Sequence, residues 1–142
     1  MKNTMLEMTR YAALARQAVA EGVVLLKNEA VLPLAPGGRA ALFGYAQFHY
    51  YKSGTGSGGL VNVTHVPNLP EILGGDGGYR LDAEVQARYA AWLADHPYEM
   101  GTGWAQEPWF QPEMPLDEEF VRAAAQRADT AVSYTHLTLP TT

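Results

Sequence analysis

The sequence contains no cysteine, which excludes disulfides and thiolate metal sites. It is also short of positive charge: 10 Lys and Arg stand against 15 Asp and Glu, a formal net charge of −5. A nucleic-acid binder needs a basic face, so no nucleic-acid partner is expected. No apolar stretch approaches the roughly 20 residues that a membrane span requires, and no membrane partner is expected either. The N-terminus lacks a signal-peptide pattern, because Glu7 and Arg10 interrupt the apolar run that one needs. A cytoplasmic location is therefore expected. Asn62-Val63-Thr64 matches a glycosylation sequon, and without a secretion signal the match reads as coincidence. His49, His65, His96 and His136 have no metal-ligand spacing, so neither a metal nor any other cofactor is expected.

What remains is an ordinary globular composition, 47% hydrophobic over 142 residues, enough for one domain or part of one. Thr4 and Glu7 have capping-box spacing ahead of an apolar stripe at Tyr11, Leu14, Ala15, Ala18 and Val19, which predicts a helix ending near Gly22. Val23-Val24-Leu25-Leu26 reads as a buried strand, Lys27-Asn28-Glu29 as a turn, and Val31-Leu32-Pro33-Leu34 as extended chain. After the turn Pro36-Gly37-Gly38, the run Ala40-Ala41-Leu42-Phe43-Gly44 is apolar on both faces, as parallel strands tend to be. Residues 45–80 read mostly as loop. Asp82 then caps a helix with the stripe Val85, Tyr89, Trp92 and Leu93, which ends before Pro97. Asp117 caps another, with Glu118 and Glu119 in its first turn, Leu116 and Val121 at staple spacing, and Phe120, Ala124 and Ala128 along its face. Thr130-Ala131-Val132 opens a third strand. Residues 133–142, hydroxyl-rich and interrupted by Pro140, fit an edge strand or, as the preferred reading, a non-native read-through tail. Alternation of helices with apolar strands predicts an α/β class, a three-layer sandwich with a mostly parallel sheet, incomplete in this chain.

Three blocks resemble family 3 glycoside hydrolases of the β-glucosidase type. One is Ala20-Glu21-Gly22-Val23-Val24-Leu25-Leu26-Lys27-Asn28-Glu29 with Val31-Leu32-Pro33-Leu34. Another is Ala41-Leu42-Phe43-Gly44 followed by Tyr50-Tyr51-Lys52-Ser53-Gly54-Thr55-Gly56-Ser57-Gly58. The last is His96-Pro97 with Gly103-Trp104, Glu107-Pro108-Trp109 and Glu113-Met114-Pro115-Leu116. The resemblance implies that residues 1–132 are the N-terminal part of an (α/β)6 sandwich domain. A (β/α)8 barrel domain of the same parent protein would then be missing from this chain. It also implies a retaining hydrolase of β-linked glycosides or oligosaccharides, which needs a carboxylate nucleophile and a carboxylic acid about 5–5.5 Å apart. The family's nucleophile is an aspartate in a barrel motif that does not occur here. Its acid/base glutamate usually lies further into the sandwich. No catalytic residue is therefore assigned to this chain. The alternative is a stand-alone, non-catalytic carbohydrate-binding or interaction module.

The substrate-binding candidates are Lys52, Ser53, Gly54, Thr55, Gly56, Ser57 and Gly58. They follow a strand, and ligands in α/β sheets bind at the carboxyl ends of strands. Glycines let the backbone approach a sugar, while the lysine and hydroxyls can hydrogen-bond it. Gly54, Gly56 and Gly59 also match a dinucleotide fingerprint. That motif must sit directly between a strand and a helix, and Leu60-Val61-Asn62-Val63 opens none. Trp104, Trp109 and Phe110 read as packing residues before a sugar platform. Helix capping explains Asp117, Glu118 and Glu119, while the sequence gives Glu107 and Glu113 no assigned role.

Overall fold

The structure, a computed structural model, describes residues 8–50, 65–99, 102, 106, 108 and 111–134. The chain divides into two compact units, Met1–Pro33 and Leu34–Thr142.

The first unit holds one helix, α1 (Met8–Gly22), as the apolar stripe predicts. The capping-box positions Thr4 and Glu7 lie outside the described residues. The expected buried strand at residues 23–26 does not form. Val23, Val24, Leu25 and Leu26 are 70%, 75%, 58% and 91% exposed. A strand needs neighbours for its N–H and C=O groups, and no described residue of this unit is in a strand. The turn that follows is built by Asn28. Its side-chain oxygen accepts from the N–H groups of Val31 and Leu32, both at 3.0 Å, the local bonding that suits asparagine to turns.

The second unit is a three-stranded, all-parallel sheet in the order β2-β1-β3. The strands are β1 (Arg39–Phe43), β2 (Arg80–Leu81) and β3 (Thr130–Ser133). β1 is central, pairing Ala40 with Leu81 on one side and with Thr130 on the other. Ala40, Ala41 and Leu42 are fully buried, so both faces of β1 are covered, as its uninterrupted apolar run predicts. The expected α/β class with a partial parallel sheet is thus present.

Residues 45–80 hold more structure than the expected loop. A 3-10 turn spans Tyr45–Gln47, and α2 spans Leu69–Gly74. The signal for α2 was in the sequence: Asn68 and Glu71 form a reciprocal capping box, and a proline occupies the first turn.

α3 (Ala83–Asp95) and α4 (Glu118–Arg127) begin at the expected caps, Asp82 and Asp117, whose carboxylates accept from Val85 and Phe120 N–H. The two helices run antiparallel. Arg88 reaches Asp117 at the start of α4, while Asp82 at the start of α3 meets Arg127 at the end of α4. Val85, Tyr89, Phe120 and Ala124 pack with Ala41, Phe43 and Met114 into the core. Burying each large apolar side chain contributes on the order of 2 kcal/mol. β3 runs through Ser133, which pairs with Phe43, and Tyr134 N–H donates to Phe43 O. Of the expected tail, Ser133 is the last residue of β3, and residues 135–142 lie outside the described residues.

Candidate functional site

The carboxyl end of β1 is where an α/β sheet would present a ligand site. At Gly44 the backbone takes φ +107°, a conformation that costs any residue with a Cβ. Here the strand turns aside. Gly44 N–H donates to Tyr89 Oη at 2.7 Å, and Tyr45 N–H donates to Glu113 Oε2 at 2.8 Å. The other carboxylate oxygen accepts from Met114 N–H at 3.0 Å and, more weakly, from Tyr89 Oη at 3.4 Å. Below the turn, the fully buried Gln47 donates to Leu42 O at 2.7 Å.

Beyond the turn the surface is aromatic. The rings of Tyr45, His49 and Tyr98 lie near-parallel, with centroids 5.1 to 6.2 Å apart. Tyr50 stacks on Tyr134 at 5.8 Å. Burial, with Tyr98 adding to it, pushes the Tyr45 phenol up to about 12. Burial also raises Tyr89 to about 12 and lowers His49. Tyr45 Oη is buried and has no hydrogen-bond partner among the described residues.

All seven expected substrate-binding residues, Lys52, Ser53, Gly54, Thr55, Gly56, Ser57 and Gly58, lie outside the described residues, as do Trp104, Glu107, Trp109, Phe110 and His136. Three of the acidic residues named from sequence have structural partners. Glu113 serves the turn, Asp117 caps α4 and pairs with Arg88, and Glu118 pairs with Arg122. His96 sits at the C-cap of α3, as expected, and stacks on Trp92 at 3.5 Å. His65 pairs with Glu71 at 2.9 Å. Among the described residues no group of three or more His, Asp or Glu could hold a metal. The Glu113–Tyr89 arrangement escaped the sequence, because nothing local links residues 44, 89 and 113. Only Gly44, ending an apolar run, marked the place.

No protein-family model matches the chain. Individual proteins do. It is 46% identical over 127 residues to a β-glucosidase of Ruminococcus albus, a match covering 89% of this chain and 13% of that protein. It is 38% identical over 128 residues to β-glucosidase A of Butyrivibrio fibrisolvens, covering 87% of this chain and 14% of that one. In structure it superimposes on a β-glucosidase from Paenibacillus barengoltzii with a TM-score of 0.79 at 42% identity, over 87% of this chain and 13% of the other. Against β-glucosidase 3B from Thermotoga neapolitana in complex with glucose, the TM-score is 0.75 at 27% identity, over 93% and 19%. The chain spans about an eighth of the length of the curated relatives it matches. In sequence and in fold, it corresponds to one segment of the β-glucosidases of glycoside hydrolase family 3.

Proposed function

We propose that the chain acts as part of a retaining glycoside hydrolase that cleaves β-linked glycosides. In this reading it supplies sandwich-domain structure and a substrate-side surface at the end of β1, and a barrel domain supplies the nucleophile. The observation that carries the reading is the 46% identity to a β-glucosidase over 127 residues, 89% of this chain. The exposed rings after Gly44, those of His49 and Tyr50, suit a sugar, whose apolar C–H faces stack on rings. In sequence, residues 52–58 follow that segment and carry the lysine and hydroxyls expected to hydrogen-bond a sugar. The chain alone is inactive in this reading, because a covalent mechanism without its nucleophile loses both half-reactions.

A graft tests the proposal. The segment of the Ruminococcus albus β-glucosidase that aligns with this chain is replaced by this chain's own residues. The chimera is assayed on aryl β-glucosides, with circular dichroism to establish folding. Turnover within about tenfold of the unaltered enzyme is expected, since a misplaced element at a site costs about 100-fold. A folded chimera without turnover would sink the proposal. Binding of β-linked oligosaccharides by the isolated chain, with no effect in the chimera, would favour a stand-alone binding module instead.

A further inference from the structure

β1 does not simply run out. Its next two backbone N–H groups, those of Gly44 and Tyr45, are taken by side chains from distant parts of the chain: Tyr89 on α3, and Glu113 ahead of α4. Tyr89 Oη lies 3.4 Å from Glu113 Oε1, so the two captures are linked. Gly44 and Tyr45 are buried, and so is Tyr89. A buried N–H must find an acceptor, and a longer β1 would have offered the sheet. A carboxylate suits this corner because it only accepts and has two oxygens. Here they take Tyr45 N–H, Met114 N–H and Tyr89 Oη together. Among the described residues, no capping or ion-pair role competes for it.

The corner fixes the direction in which the chain leaves the sheet. The chain then carries the buried Tyr45 and the exposed His49, which stack on each other and on Tyr98, and then the exposed Tyr50. We propose that Glu113, acting through Tyr89 and the backbone of Gly44 and Tyr45, is a positioning residue for the sugar substrate. The inference rests on the proposed function, since it takes the surface after Gly44 to face substrate. Glu113 touches no substrate itself. It sets where the residues that do so stand.

Gln in place of Glu113 keeps the shape but leaves one acceptor oxygen, so one backbone N–H loses its partner. Ala removes both oxygens. In the Ruminococcus albus chimera, Glu113→Ala is expected to raise KM about tenfold and Glu113→Gln by less, with kcat within about twofold, the signature of lost binding rather than lost chemistry. Tyr89→Phe is expected to behave like Glu113→Gln. Asp82→Asn is the control. It weakens the same unit at the other end of α3, so it is expected to lower Tm but leave KM unchanged. A second arm uses the full chain alone. Amide exchange at Gly44 and Tyr45 should quicken at least tenfold in Glu113→Gln beyond any change at Ala40. If the chimera is active and KM moves no more in Glu113→Gln and Tyr89→Phe than in Asp82→Asn, the positioning role is wrong. If exchange at Gly44 and Tyr45 is unaltered, the corner itself is wrong. If exchange responds but the folded chimera is inactive, the corner stands and its link to substrate falls with the proposed function.

Discussion

Two short apolar runs of this chain meet opposite fates. Val23-Val24-Leu25-Leu26 has the stronger strand composition, with two β-branched residues, yet it forms no strand and lies open to solvent. Ala40-Ala41-Leu42-Phe43 has none, yet it is the buried centre of a sheet. The difference lies in the neighbours. β1 has β2 on one edge, β3 on the other, and α3 and α4 against the face that carries Ala41 and Phe43. Residues 23–26 belong to a unit whose described residues include one helix and no strand. Propensity is a weak prior, and sheet partners override it.

That contrast is open to attack in urea unfolding of the full chain, followed by circular dichroism. The largest effect is expected at Tyr89→Ala. It opens a cavity in the core and removes the acceptor for Gly44 N–H, and should destabilise residues 34–134 by about 3–5 kcal/mol. Asp82→Asn comes next. Asp82 is only 3% exposed and is held by Arg127 at 2.8 and 3.1 Å, and the loss should be about 2 kcal/mol. This effect depends on pH. The hydrogen bond from Arg127 outweighs burial and holds Asp82 below its ordinary value of 3.8. Its contribution is therefore complete above that ordinary value and disappears as pH falls through the lower folded value. Stability plotted against pH should lose part of its acid slope in the Asn variant, and an unchanged slope would remove Asp82 from the account. Asp117→Ala should lower the midpoint by less, through loss of the α4 cap and the exposed Arg88 pair. Smallest is Leu26→Ala. At 91% exposure it should change stability by no more than about 0.5 kcal/mol. A loss comparable to that at Tyr89 would mean that residues 23–26 are packed after all.

The parts legible in sequence are those decided locally. Asp82 and Asp117 signal their helices because a cap satisfies N–H groups two or three residues away. Ala40-Ala41-Leu42-Phe43 reads as a parallel strand because both its faces are apolar. Residues 23–26 have the same local look, and what separates them is that they have no strand partner among the described residues, which no window of sequence displays. α2 was legible from Asn68 and Glu71 but was overshadowed by surrounding glycines. The corner at Gly44 was not legible, since it joins residues 44, 89 and 113 through side chains whose meeting depends on how α3 and the segment before α4 pack. Glu113 has no role readable from sequence, because its partners at Gly44–Tyr45 and Tyr89 are distant in the chain.

Amide hydrogen exchange on the full chain tests the central contrast most directly. The account predicts that Leu42 and Phe43 exchange at least ~100-fold more slowly than an unstructured peptide, while Val24 and Leu25 exchange at nearly unstructured rates. Equal protection of the two runs would contradict it, because residues 23–26 would then have found strand partners within this chain.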